Sequence, residues 1–129
     1  MSTTSPYRTQ TDLINEALAN LGVLSPGQPV DIEDFSFVQS SLDSIFRKLA
    51  ALEIVFVADQ NNIPGSWFKD LSDIVAGEVA TKFGSNPDHY MMLIQRGLGV
   101  PPGAGAAALS LKQMTRGRPT YEPLQMDFF

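Results

Sequence analysis

The chain has no cysteine and only one histidine among its 129 residues. The lack of cysteine excludes disulfides, thiolate metal ligands and a cysteine nucleophile. A single imidazole, that of His89, argues against a histidine-based metal site and against a Ser-His-Asp triad. Asp88 is its neighbour in sequence, but adjacency does not place two side chains within hydrogen-bonding distance. We therefore interpret His89 as a surface or helix-start residue.

Long apolar runs and an excess of positive charge are also missing. No stretch approaches the roughly 20 apolar residues that a membrane-spanning helix needs, so no membrane partner is expected. The first ten residues are polar, which is not typical of a secretory signal. Nine Lys and Arg against 14 Asp and Glu give a net charge of -5, which disfavours binding by neutralisation of phosphates. A hydrophobic content of 43% is typical of one globular domain with a modest core.

Helical spacing of apolar residues predicts an all-α fold, a small bundle of about four helices. The first helix is predicted over 11–21 and the second over about 32–52. The third is predicted to begin at Ser66, as its N-cap, and the fourth at Asn86 and Pro87. Residues 53–57 are rich in β-branched side chains and predict a short strand or a helix end, while residues 104–114 are compatible with a further helix.

The charge changes sign along the chain. Residues 1–99 carry six basic and 12 acidic side chains, a net charge of -6, whereas residues 100–129 carry three basic and two acidic ones, a net charge of +1. The change coincides with Val-Pro-Pro-Gly-Ala-Gly at 100–105, where a helix cannot easily continue. The sequence thus predicts a helical bundle over 1–99, followed over 100–129 by a Pro/Gly hinge and a C-terminal arm.

Residues 116–129, called the arm below, have a composition that indicates contact with another chain. Pro119 and Pro123 prevent a regular helix, and apolar side chains beyond them are costly to expose in a free tail. A frayed, solvated terminus is the alternative interpretation. The contact residues that we predict in and just before the arm are Lys112, Arg116, Arg118, Tyr121, Leu124, Met126, Phe128 and Phe129.

No catalytic, cofactor or metal site is predicted. We interpret the pairs Glu33/Asp34 and Asp70/Asp73 as helix-start charges on solvated faces. The glycines between 97 and 105 lack the order of a phosphate-binding loop. Trp67 belongs either to the core or to a subunit contact, and the sequence leaves the two open.

The order of these elements resembles the head-to-tail adaptor proteins of tailed phages, including the packaged-DNA stabilisation proteins of short-tailed phages. The resemblance covers about residues 9–95. It is carried by a first helix, Thr11 to Leu21, that ends in Leu-Gly, by the acidic stretch Asp31 to Asp34 before a long helix, and by the Ala/Val-rich Asp73 to Ala80.

The resemblance implies a structural protein of the virion, not an enzyme. It implies a ring, expected to be dodecameric, beneath the portal protein, which extends the DNA channel, helps retain the packaged genome and carries tail proteins. The arm would then contact a neighbouring subunit or the portal. An acidic lumen would repel phosphates and let the packaged DNA slide.

Two other classes of function remain open. A small helical DNA-binding regulator would need a basic recognition helix, but the basic side chains are scattered. A wall-hydrolysing neck protein would need two carboxylates placed in a cleft, and the sequence offers many carboxylates but selects no pair.

Overall fold

The structure is a computed structural model that describes residues 7–22, 29–83 and 86–116. In these ranges the chain forms five α-helices: α1 (Gln10–Leu21), α2 (Ile32–Ala51), α3 (Gly65–Val79), α4 (Pro87–Arg96) and α5 (Ala106–Arg116). A 3-10 turn, Ala80–Phe83, extends α3. Two-residue strands, β1 (Tyr7–Arg8) and β2 (Ile63–Pro64), pair antiparallel. The all-α bundle predicted from the sequence is confirmed, with one helix more than the four that were expected.

The first, second and fourth helices begin where the sequence predicts, because a side chain satisfies their free N–H groups. Thr9 and Asp12 form a reciprocal capping box at α1, with both hydrogen bonds at 3.2 Å. Asp31 accepts from the backbone of Glu33 at 2.8 Å and caps α2. Asn86 caps α4 in the same way, with Pro87 at the first helical position.

The start of α3 differs from the sequence prediction, whereas the segment after α2 takes one of its two predicted forms, a helix end. The N-cap of α3 is Pro64, which makes no side-chain cap, so the prediction of Ser66 as the cap is wrong. The backbone at the start of α3 is instead positioned by the antiparallel pairing of β2 with β1. Residues 53–57 form no strand, since α2 ends in a turn whose backbone groups bond back to the helix.

The centre of the bundle is α3, which contacts α1, α2, α4 and α5. Its residues from Leu71 through Gly77 are all buried, so the helix has no solvent face over this stretch. A helix enclosed on all sides needs mostly apolar or small residues around its circumference, which Ser72, Ala76 and Gly77 help to provide, and Asp73 is the charged exception. The core also includes Leu42, Ile45 and Leu49 of α2, buried as predicted.

Two glycines allow the backbone of α3 to lie very close to that of α4 and of the turn that follows it. A methyl group at Gly77 would lie 2.8 Å from the carbonyl oxygen of Leu93 on α4. A methyl group at Gly97, just after α4, would lie 2.7 Å from the carbonyl oxygen of Asp73 on α3. Any larger side chain at either position would push α4 or its C-terminal end away from α3.

The Pro/Gly segment at 97–105 is a closed turn that folds α5 back onto the bundle. The backbone N–H groups of Gly103 and Gly105 donate to the carbonyl of Leu98 at 2.8 and 2.9 Å. Beyond it, α5 buries Ala107, Ala108 and Leu111 in the common core and contacts α3. The bundle therefore includes residues 106–116, which the sequence analysis assigned to the part after the hinge.

Candidate interaction surface

The contact residues predicted near the C-terminus divide into two groups in the structure. Lys112 is half-buried on α5, and Arg116 is the last residue of that helix. The other six lie outside the described residues, so their contacts stay a prediction: Arg118, Tyr121, Leu124, Met126, Phe128 and Phe129. The structure thereby locates the point from which the chain continues into the arm.

The turn after α2 presents an aromatic side chain to the outside. Glu53 has a φ of 59°, a left-handed conformation that is uncommon for residues other than glycine. Its N–H donates to the carbonyl of Ala50, and that of Ile54 donates to the carbonyl of Leu49, both at 3.0 Å. This pattern is a Schellman motif, which reverses the chain at the helix end. As a result Ile54 is buried in the core while Phe56 points outward.

Phe56 is 72% exposed, and three shallow depressions meet around it. One lies along the last turns of α2, the second reaches Thr115 on α5, and the third reaches Trp67 on α3. The name Phe56 surface is used below for the area formed by Ala50, Glu53, Phe56, Val57, Trp67 and Thr115. An exposed ring is a candidate contact point where apolar neighbours extend it into a contiguous patch.

The charges around the Phe56 surface are mainly negative. Asp43, Glu53 and Asp59 line its depressions, with Arg47 as the basic residue among them. Arg47 already pairs with Asp43 at 3.1 Å on the exposed side of α2. The carboxylates of Glu53 and Asp59 therefore set the sign of the field at this surface.

The end of α5 is fixed beside this surface. The hydroxyl of Thr115 lies 3.1 Å from the carbonyl oxygen of Ile54 and 3.0 Å from that of Leu111. Because Arg116 follows directly, the last residue that the structure describes comes at the edge of the Phe56 surface.

Asp73 is buried, which corrects its interpretation as part of a solvated helix face. Only 6% of it is exposed, and its two carboxylate oxygens accept from Asn20 and Lys69, each at 3.2 Å. Asn20 also contacts the hydroxyl of Ser72 at 3.3 Å. The sequence pattern missed this because Asp73 lies on the side of α3 that faces α1. A buried carboxylate is tolerated there because hydrogen bonds compensate its desolvation.

His89 lies next to the end of α1, and Trp67 packs against the core. The His89 ring lies in the first turn of α4 with Nε2 3.4 Å from the carbonyl oxygen of Leu21, in keeping with its interpretation as a helix-start residue. Trp67 is half-buried: it packs against the core and also lines the Phe56 surface.

The sequence analysis did not select Phe56. Its apolar neighbours predicted a strand or helix end, and neither pattern shows which of four successive apolar residues lies outside. The end of α2 is the signal that could have indicated this: a chain that reverses directly after the C-cap Leu52 cannot bury all of residues 54–57.

Within the described ranges, no group of three or more His, Asp or Glu side chains is placed to hold one metal ion. No helix there is both long and apolar enough to span a membrane. Comparison of the chain with protein-family models, with curated proteins and with solved structures found no match.

Proposed function

We propose that the protein is a structural head-to-tail adaptor of a tailed phage. Copies would form a ring between the portal protein and the tail proteins, extend the DNA channel and help retain the packaged genome. The protein would be made in the host cytoplasm and act in the virion, with neighbouring subunits and the portal as its contacts.

The observation that carries this proposal is the position of the Phe56 surface beside the end of α5. The body offers an exposed aromatic side chain, α5 ends at the same edge, and the sequence after α5 is rich in apolar residues. In a ring of identical subunits, each copy contacts its two neighbours through two different surfaces. An apolar surface and an apolar segment on every copy supply such a pair.

The charge of the body supports the same proposal. Residues 1–99 carry a net charge of -6, and many of their carboxylates lie at the surface, as at Glu16, Glu33 and Asp88. A channel lined by such a surface repels the phosphates of DNA, which favours sliding over binding.

The test is electron microscopy of the purified protein mixed with portal rings from the same phage. We expect an additional ring on one face of the portal and no such ring when the adaptor is omitted. Portal rings that stay bare at micromolar adaptor, while the adaptor is folded by circular dichroism, would contradict the proposal.

A further inference from the structure

We propose that the Phe56 surface binds an arginine side chain that a segment of another protein presents to it. The guanidinium packs against the aromatic rings of Phe56 and Trp67 and pairs with the carboxylate of Asp59. Apolar residues beside that arginine cover the rest of the Phe56 ring. The inference goes beyond the proposed function and does not depend on the adaptor role.

One of the three depressions around Phe56 combines two aromatic rings with a carboxylate. It lies where the chain between α2 and α3 meets the start of α3, and it is lined by Phe56, Val57, Ala58, Asp59, Asn62, Pro64 and Trp67. Of the described residues that line it, only Asp59 is charged. The faces of aromatic rings and a carboxylate both attract a cation, so this lining favours a cationic group over a neutral or an anionic one.

Among the described residues, no cation is paired with these groups. The ion pairs found there do not involve Asp59, and no cationic side chain lies over the ring of Phe56 or Trp67. The next residue of α3 shows the contrast, because the guanidinium carbon of Arg8 lies 4.7 Å from the ring centroid of Phe68. The start of α3 thus holds one arginine of its own on an aromatic ring, and the depression offers the same chemistry to an external one.

The loop between α2 and α3 holds Asp59 in position. Its Oδ1 accepts from the backbone N–H of Asn61 at 2.9 Å, and its carbonyl oxygen accepts from the N–H of Asn62 at 3.0 Å. The side-chain oxygen of Asn61 accepts in turn from the backbone N–H of Gln10 at 3.3 Å, which ties the loop to α1. A carboxylate can accept several hydrogen bonds, so Asp59 can also receive the N–H groups of a guanidinium. Because the loop orients it beforehand, little ordering is needed on binding.

The shape and chemistry of the depression favour arginine over lysine and over a larger ligand. A guanidinium is planar, stacks on aromatic rings and is more weakly hydrated than an ammonium group. The depression has a volume of about 210 Å³, below the roughly 300–1,000 Å³ of pockets that enclose drug-sized ligands. It therefore accommodates the head group of one side chain.

The surroundings of the depression favour a protein segment over a free cation. Phe56 is 72% exposed and also lines the two other depressions, which reach Ala50 and Thr115. A segment with apolar side chains next to its arginine covers this ring as well, and removes apolar area from water on both partners. Arginine and large apolar residues are together typical of the centres of protein interfaces.

The fluorescence of Trp67 reports binding directly, because Trp67 is the only tryptophan in the chain. The probe is a short peptide of glycine and serine with one central arginine between two leucines. The matched control peptide carries citrulline, which has nearly the shape of arginine but no charge. We expect a saturable change in Trp67 emission with the arginine peptide, and an affinity at least about fivefold lower for the citrulline peptide.

Two variants of the full-length protein test the residues of the depression. Asp59→Asn keeps a side-chain oxygen that can accept from the N–H of Asn61 but removes the charge. Phe56→Leu keeps an exposed apolar side chain but removes the ring. Each should lower the affinity for the arginine peptide at least about fivefold, with an unchanged far-ultraviolet circular dichroism spectrum.

Asp88→Asn is the matched control for Asp59→Asn, since it makes the same change in net charge at an exposed residue in the first turn of α4. The helix α4 packs against α3 near Gly77, ten residues or about 15 Å beyond Trp67 along the helix. This variant should change the affinity for the arginine peptide less than about twofold, because exposed charges at such distances are screened by salt.

Several outcomes would overturn the inference. Equal affinities of the arginine and citrulline peptides would remove the role of the charge, and equal losses in Asp59→Asn and Asp88→Asn would indicate a general effect of net charge. An unchanged affinity in Phe56→Leu would remove the role of the ring. Methylguanidinium alone should bind more weakly than the peptide, and equal affinity would assign the depression to a free small cation.

The indole N–H resonance of Trp67 provides a second readout for the same titration. It should shift saturably with the arginine peptide, with the affinity that the fluorescence gives. If neither signal changes saturably at millimolar peptide, the Phe56 surface does not bind arginine and the inference is wrong.

Discussion

Thr115 and Ile54 connect the last turn of α5 to the turn that follows α2, with 3.1 Å between the hydroxyl and the carbonyl oxygen. The two residues are 61 positions apart in sequence. Their contact fixes the starting point of the arm relative to Phe56. The end of α5 is therefore held beside the Phe56 surface by the fold.

Ile45→Ala should destabilise the protein by about 2–4 kcal/mol, the usual cost of truncating a core side chain. Ile45 is 5% exposed and belongs to the main apolar cluster. Ile32→Ala is the matched control, since Ile32 is 79% exposed and should change the free energy of unfolding by less than about 0.5 kcal/mol. Urea denaturation measures both. Equal stabilities of the two variants would refute the burial of Ile45.

Gly77→Ala should destabilise the protein, although alanine usually stabilises a helix interior relative to glycine. The new methyl group would lie 2.8 Å from the carbonyl oxygen of Leu93, and overpacking of this kind costs about 1–3 kcal/mol. Gly22→Ala is the comparison, because Gly22 has a φ of 84° but no atom within 4 Å of the added methyl group. Its cost should come from backbone strain alone, about 1–2 kcal/mol. If Gly77→Ala raised the midpoint temperature of thermal unfolding, the backbones of α3 and α4 would have to lie farther apart than this contact requires.

Asp73→Ala should cost about 1–3 kcal/mol, since it removes the acceptor of a part-buried Asn20 amide. Lys69→Ala removes the other partner, but 83% of the Lys69 side chain is exposed. Solvent screens such an ion pair, so Lys69→Ala should lower the free energy of unfolding by less than about 1 kcal/mol. Chemical denaturation of the two single variants and the double variant measures the coupling. A larger loss for Lys69→Ala than for Asp73→Ala would contradict the assignment of Asn20 as the main partner.

The free protein should not bind duplex DNA tightly. Its body carries a net charge of -6 over residues 1–99, and phosphate neutralisation dominates non-specific affinity. The measurement is a gel shift in moderate salt with protein in the sub-micromolar range. A shifted duplex under these conditions would favour the DNA-binding regulator over the adaptor.

Deletion of residues 117–129 should leave the body folded, with a change in unfolding free energy within about 0.5 kcal/mol. The buried apolar residues of all five helices lie before the cut. The truncated protein should nevertheless fail to attach to portal-containing heads. The full-length protein, purified in parallel, is the control for attachment. Normal attachment would make the arm a passive tail, while unfolding of the truncated monomer would mean that the arm packs on its own bundle.

The periodicity of single helices predicted α1 and α2 well because both bury one stripe, and the caps at Asp31 and Asn86 are local interactions that a sequence displays directly. The surroundings of α3 were harder to predict. The burial of Asp73 and the close approach at Gly77 depend on which helices lie against α3, and that information is spread over the whole chain. The exposure of Phe56 was not predicted for a similar reason, since it follows from the reversal of the chain direction at Glu53.

The burial of α3 on all sides between Leu71 and Gly77 has a consequence for how the molecule folds. A helical stretch without a solvent face gains its stability mainly when partners cover it. The partners of α3 come both before it in the chain, from α1 and α2, and after it, from α4 and α5. The helical units should therefore form and melt as a single cooperative transition. The backbone amides between Leu71 and Gly77 should be the slowest in the described chain to exchange with deuterium, since only global opening brings them to water.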